Sequence, residues 1–195
     1  MSEAVEAEAF DARYIASPDP WGYETDAYEL GKYARTLASL PDRRITSAVE
    51  IGCSNGELTR RLAERCVNLL SFDFSTEAVR LARRKIAGRP GVRIERRDVR
   101  GGIPSGPWDL VIASEVLYYL ARADVDRLAG TIESQLAPGG SFLAVHWRGE
   151  DPEAPLDGRE VHALLHQRLD GSLSRVDSEE NAGYFLDRWE RPGRI

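Results

Sequence analysis

Two carboxylates and the glycine turn between them are the residues of this 195-residue chain best placed to do chemistry. The apolar run Ala48-Val49-Glu50-Ile51 reads as a short buried strand, and Gly52-Cys53-Ser54-Asn55-Gly56 follows it directly. Leu58, Leu62, Ala63 and Cys66 then recur on one face of an expected helix. A second apolar run, Leu69-Leu70-Ser71-Phe72, is closed by Asp73. Strand, glycine turn, helix and a strand ending in a carboxylate form a βαβ unit suited to a nucleoside. Glycines let the backbone approach the ligand, and the carboxylate accepts hydrogen bonds from ribose hydroxyls.

The spacing argues against a dinucleotide. A pyrophosphate turn reads Gly-x-Gly-x-x-Gly, with the middle glycine bringing phosphate to the helix N-terminus. Here the pattern is Gly52-x-x-x-Gly56, and Ser54 stands at the middle position. Glu50, two residues before Gly52, repels a pyrophosphate and suits a ligand with a cationic end. S-adenosylmethionine has such an end, an ammonium and a sulfonium beside a ribose. A nicotinamide-dependent oxidoreductase is disfavoured on the same ground.

The elements that position these groups alternate regularly from Ser47 onward. Ser75 caps a helix with Ala78, Val79, Ala82 and Ile86 inward, and a third strand starts at Val92 and finishes at Asp98. Trp108 to Ala113 forms a fourth strand ending at Ser114-Glu115. A helix carrying Val125, Leu128, Ile132 and Leu136 stops at Pro138-Gly139-Gly140, and Ser141 to Val145 leads to His146-Trp147-Arg148. Asp157-x-x-Glu160 has the form of a capping box for a last helix. Runs around Leu173–Arg175 and Tyr184–Trp189 fit an antiparallel edge hairpin. Ligands of open parallel sheets bind outside the carboxyl ends of the strands. Those ends carry Glu50 to Gly56, Asp73, Asp98, Ser114-Glu115 and His146-Trp147.

The expected organisation is an acidic flexible tail over residues 1–9 and a single domain over 10–195. Within it, 10–40 form two helices joined by a Pro18/Pro20 turn, 41–150 the cofactor-binding core, and 151–195 a helix and edge hairpin. Phe10, Tyr14, Trp21, Tyr23, Tyr28 and Tyr33 crowd the first of these segments, either as a lid or as cover for one edge of the core. A net charge of −6 disfavours nucleic acid. The Arg-rich stretch from Arg83 to Arg100 reads as a solvated surface. The expected chain is cytoplasmic, with no membrane and no obligate protein partner: Met1 to Ala9 lack a basic group or long apolar run, and no stretch is long enough to span a bilayer. Cys53 and Cys66 read as reduced packing residues, and no metal site is expected.

Phe10-Asp11-x-x-Tyr14, Pro18-Asp19-Pro20-Trp21, Glu50-x-Gly52-Cys53-Ser54-x-Gly56, Ser114-Glu115-Val116-Leu117-Tyr118-Tyr119-Leu120 and His146-Trp147-Arg148-Gly149 together resemble a known family. The chain looks like a class I S-adenosylmethionine-dependent methyltransferase, and more narrowly like the nodulation protein S (NodS-type) N-methyltransferases. The resemblance runs from Phe10 to about Arg191. It implies an α/β Rossmann-like three-layer sandwich: a mostly parallel seven-stranded sheet with an antiparallel edge hairpin and an N-terminal helical lid. It also implies methyl transfer from S-adenosylmethionine, leaving S-adenosylhomocysteine, to an amine on a small molecule or oligosaccharide. In that family the acceptor is the glucosamine end of a deacetylated chitooligosaccharide. Asn55 departs from the pattern, where an aliphatic residue is expected.

On this resemblance Glu50, Gly52, Cys53, Ser54 and Gly56 take the amino-acid end of the cofactor, and Tyr14 and Trp21 close over it. Asp73 takes the ribose, Phe74 lies near the adenine, and Asp98 with the Val99 amide reads the adenine edge. Ser114 sits beside the methionine portion. An attacking amine must be neutral, so a base within reach is expected, with Glu115, His146 and Tyr118 as candidates. Trp21, Tyr23, Tyr118, Tyr119 and Trp147 could offer flat apolar surface to a sugar ring. A hydroxyl or carboxylate acceptor, and a non-catalytic cofactor-binding module, stand as alternatives.

Overall fold

The computed structural model describes residues 7–193, which fall into two compact units, 7–98 and 99–193. Residues 1–6 of the expected tail lie outside the described residues. The first helix opens at Ala7, ahead of the expected residue 10.

The unit 7–98 runs α1 (Ala7–Ala16), α2 (Ala27–Ala38), β1 (Ile45–Ile51), α3 (Glu57–Leu62), β2 (Cys66–Asp73), α4 (Thr76–Ile86) and β3 (Val92–Arg96). β1 and β2 are parallel, with Glu50 opposite Ser71 and Ile51 opposite Phe72. β2 and β3 are parallel, with Asp73 opposite Arg96. The register therefore brings the glycine turn and Asp73 to the same end of the strands. Asp26 caps α2 and Ser75 caps α4, where Ser75 Oγ accepts from the Ala78 amide at 3.0 Å. Cys66 corrects an expectation: it opens β2 instead of lying on the face of α3. The parallel ladder starts at Ile45 opposite Cys66, so α3 is confined to six residues.

The unit 99–193 contains a 3₁₀ turn (Val99–Gly101), β4 (Trp108–Ser114), a second 3₁₀ turn (Leu117–Tyr119), α5 (Arg122–Gln135), β5 (Leu136–Trp147), α6 (Gly158–Leu169), β6 (Ser174–Glu180) and β7 (Tyr184–Glu190). β4 and β5 are parallel, whereas β7 pairs antiparallel with both β5 and β6. Pro138-Gly139-Gly140 does not precede β5 but lies within it. The pairing steps from Trp108–Leu136 to Leu110–Ser141, so these residues form a bulge. The Asp157–Glu160 capping box is present in both directions.

The strand order is β3-β2-β1 in the unit 7–98 and β4-β5-β7-β6 in the unit 99–193, each a sheet layer with parallel pairs. Leu110 to Ala113 on β4 and Phe142 to Val145 on β5 are fully buried. Four consecutive buried residues mean that both faces of these strands are covered, as parallel strands require. No described helix is long and apolar enough to cross a membrane.

Candidate active site

In the unit 7–98 the turn after β1 is built around left-handed backbone. Gly52 and Gly56 have φ of 75° and 84°, and Ser54, between them, has 50°. A Cβ on Gly56 would stand 2.8 Å from Ala82 Cα, so side chains are excluded there on steric and conformational grounds. The Gly52 and Cys53 amides donate to Phe72 O at 2.9 and 3.0 Å, which ties the turn to β2. Asp73 completes the anchor: its two carboxylate oxygens accept from the amides of Ser54 and Ser75, each at 3.0 Å. Burial, only partly offset by those bonds, lifts the Asp73 carboxyl from 3.8 to about 6.

Glu50 is buried at the end of β1. Its Oε2 accepts from Thr59 Oγ1 at 2.5 Å, while Oε1 has no hydrogen-bond partner among the described residues. Burial lifts this carboxyl from 4.5 to about 7, against the pull of the Ser71 and Thr59 hydroxyls. A buried carboxylate oxygen left open is costly unless a donor or cation meets it. Cys53 is likewise buried, and desolvation with the nearby acids Asp73 and Glu50 pushes its thiol well above the usual range. It is a packing residue and not a thiolate.

The N-terminal segment is fastened to this turn. Tyr14 Oη donates to Ser54 Oγ at 2.7 Å. Asn55 Nδ2 donates to Asp19 Oδ1 at 3.2 Å and to Pro18 O at 3.4 Å, while Asn55 Oδ1 accepts from the Glu57 amide. Asp11 accepts from Ser75 Oγ at 2.5 Å and from the Glu77 amide, a second carboxylate at the start of α4. Phe10 meets Phe74 edge-on at 5.3 Å and Tyr14 meets Trp21 edge-on at 5.5 Å. Tyr14, Trp21, Glu50, Gly52, Cys53, Ser54, Gly56, Asp73 and Phe74 thus belong to one neighbourhood. Asp98 lies half-buried just past β3.

The unit 99–193 carries a second group. Val99 is buried in its 3₁₀ turn, and Ser114 ends β4 half-buried. Glu115 adopts φ 57°, and with Ser54 it makes up the non-glycine positive-φ residues among those described. Such backbone is held only where the surroundings enforce it. Here Glu115 Oε2 accepts from Tyr118 Oη at 2.8 Å and from the Trp147 amide at 2.9 Å. Trp147 is 42% exposed, and its ring lies over Gly149, where a Cβ would sit 2.0 Å from the indole.

His146 requires a correction. It is fully buried, its Nε2 accepts from the Leu117 amide at 3.2 Å, and its Nδ1 lies 3.1 Å from His162 Nε2. Both ring nitrogens are committed to protein partners, so the lone pair a base needs is already used. His162 continues to Asp187 Oδ2 at 2.5 Å, which also meets His166 Nε2 at 2.7 Å. Donor atoms of His162, His166 and Asp187 lie within 4.8 Å of one another, within reach of a metal ion. The same atoms are joined by hydrogen bonds within the group. Sequence reasoning missed the roles of Asn55, Asp11, His162 and Asp187. The His162-x-x-x-His166 spacing on a helix was the visible signal for part of this cluster.

Residues 4–147 match the family model of nodulation protein S (NodS). The chain belongs to the NodS family. Nodulation protein S of Rhizobium tropici is 34% identical over 133 residues, 67% of this chain and 56% of that protein. Across three such NodS relatives the chain spans 56–64% of their length. A candidate methyltransferase from Pseudomonas syringae, known from its crystal structure, is 41% identical with a TM-score of 0.72, covering 85% of this chain and 100% of that one. The N-methyltransferase NodS of Bradyrhizobium japonicum WM9, solved with S-adenosyl-L-homocysteine, has a TM-score of 0.83 over 96% of this chain and 100% of its own. At 22% identity that likeness concerns the fold, a Rossmann-like methyltransferase fold. The NodS match takes in Glu50, Asp73, Glu115, Tyr118 and Trp147, and it ends before His162 and Asp187.

Proposed function

We propose that this NodS-family chain is an S-adenosylmethionine-dependent N-methyltransferase. Its acceptor is a small-molecule amine, and specifically the glucosamine end of a deacetylated chitooligosaccharide. The observation that carries the cofactor reading is Glu50: a buried carboxylate with one oxygen open, set at the start of a left-handed glycine turn. It meets the cofactor's ammonium, the Gly52–Gly56 backbone admits close approach, and Asp73 accepts from the ribose hydroxyls. Tyr14 and Trp21 line this neighbourhood from the N-terminal segment, with Phe74 toward the adenine. Asp98, just past β3 in the same unit, accepts from the adenine amino group. When bound, S-adenosylmethionine supplies an electrophilic methyl on a sulfonium.

The chain's own residues orient the acceptor and manage its proton. Glu115, held by the Tyr118 hydroxyl and the Trp147 amide, receives the amine's N–H and takes its proton. Tyr118 orients that carboxylate and does not act as the base. His146, with both ring nitrogens bonded to protein groups, does not act as the base. The Trp147 indole, seated on Gly149 and partly exposed, offers a flat face to the C–H surface of a sugar ring. Holding acceptor and methyl in line supplies several kcal/mol of the barrier by orientation alone.

The test is Glu115→Gln, assayed for turnover and for S-adenosylhomocysteine affinity. A loss of turnover of roughly 10²-fold or more with affinity kept is expected for a base. An equal loss in both makes Glu115 a cofactor ligand.

A further inference from the structure

Three histidines and one aspartate of the unit 99–193 form a chain whose direction can be read without seeing a hydrogen. A neutral imidazole has one N–H and one lone pair. The Leu117 amide donates to His146 Nε2 at 3.2 Å, so that nitrogen holds the lone pair and the ring proton resides on Nδ1. His146 Nδ1–H therefore donates to His162 Nε2 at 3.1 Å. His162, accepting there, carries its proton on Nδ1 and gives it to Asp187 Oδ2 at 2.5 Å. One backbone amide thus fixes the tautomers of two buried rings, and the carboxylate at the far end fixes them again from the other side.

The groups around Asp187 favour its ionised form. His162 and Ser178 both hydrogen-bond its carboxylate, and Arg175 Nη1 stands 3.6 Å from Oδ1 and 2.8 Å from His166 Nε2, which itself lies 2.7 Å from Oδ2. His162, His166 and Asp187 come from α6 and β7, and His146 lies at the end of β5. The near end of the chain is the 3₁₀ turn Leu117–Tyr119, which bears the Tyr118 hydroxyl that donates to Glu115. His146 also precedes Trp147, whose amide gives Glu115 its second bond.

We propose that His162 and Asp187 are positioning residues for the Glu115–Tyr118 pair: Asp187 sets the tautomer of His162, His162 that of His146, and His146 in that tautomer holds the Leu117 turn. The inference rests on the reading of Glu115 and Tyr118 as the acceptor-side pair. It adds two residues beyond the NodS-matched segment, and it gives the buried polar chain a purpose that apolar packing could not serve. A leucine at either histidine fills space but cannot tell the turn where to stop.

The test uses the full chain with ¹⁵N-labelled histidine, deacetylated chitooligosaccharide as acceptor, and the variants His162→Phe, His162→Gln and Asp187→Asn. Wild-type ¹⁵N shifts should report His146 with its proton on Nδ1. His162→Phe removes the acceptor for that proton and should lower kcat roughly tenfold or more, the scale of one lost buried hydrogen bond. S-adenosylhomocysteine affinity should stay within about twofold, a range set by binding residues that lie elsewhere. Glutamine can accept from His146 and donate to Asp187, so His162→Gln should recover most of the turnover lost in His162→Phe. Asp187→Asn, which can present an N–H where His162 expects an acceptor, should shift the His146 and His162 resonances and lower kcat even if His162→Phe does not fold. A wild-type His146 protonated on Nε2, or a folded His162→Phe as active as wild type, overturns the proposal. A wild type that binds cofactor but methylates no amine overturns the underlying functional reading, and the positioning role falls with it.

Discussion

Replacing Glu50 with glutamine should make the cofactor-free protein more stable at alkaline pH while it weakens cofactor binding. The Glu50 carboxyl is lifted by burial from 4.5 to about 7. Folding with this group ionised therefore costs about 3 kcal/mol relative to the unfolded chain, where it titrates normally. The sign follows from proton binding. Below about pH 4.5 both states are protonated and the group is neutral in its effect. Between about 4.5 and about 7 the native state keeps a proton that the unfolded state has lost, so stability falls as pH rises and levels off above about 7. The amide oxygen of the substituted side chain accepts the Thr59 hydroxyl as Glu50 does, but the group never ionises. At pH 8 the variant should unfold roughly 6–12 °C above wild type, and the gap should close toward pH 4.5. Thermal unfolding followed by circular dichroism at half-unit pH steps measures this, and calorimetry with S-adenosylhomocysteine measures the companion loss of affinity. A variant less stable than wild type at pH 8, or a gap that does not change with pH, refutes the argument that Glu50 is a buried charge awaiting a cation.

The other expectations follow from the same turn. Asp73→Ala strips the Ser54 and Ser75 amides of their acceptor and should weaken S-adenosylhomocysteine binding by more than about tenfold, read by calorimetry. Gly56→Ala places a Cβ against the Ala82 backbone at positive φ and should destabilise by about 2 kcal/mol or more, read by urea unfolding. Asn55→Leu removes the tie to Pro18 and Asp19. It should speed amide exchange across α1 and the following turn, while β4 and β5 keep their protection.

Much of this molecule is legible in the chain because its key positions obey local rules. The Glu50–Gly56 turn is readable since left-handed backbone leaves a glycine signature, and Asp73 since a carboxylate closing an apolar run is unusual. Ser75 and the Asp157–Glu160 box announce their helices through capping chemistry. Element boundaries were less readable where pairing overrides propensity: Cys66 has helical spacing yet joins a ladder set by β1, and Pro138-Gly139-Gly140 looks like a stop yet sits as a bulge inside β5. His146 is not legible in this way, because strand-end position alone does not reveal that both ring nitrogens are bonded. Asn55 shows the converse. Its departure from an expected aliphatic residue marks the place where the N-terminal segment is fastened to the turn, through partners remote in sequence.

The most direct measurement is mass-spectrometric detection of methyl transfer from deuterium-labelled S-adenosylmethionine to deacetylated chitooligosaccharide, with the fully acetylated oligosaccharide as control. The labelled methyl should appear on the free amine of the glucosamine end, and the acetylated control should stay unmodified. Label on a hydroxyl or carboxylate of another acceptor contradicts the amine assignment. Cofactor binding with no transfer to any acceptor contradicts the assignment of this chain as an enzyme.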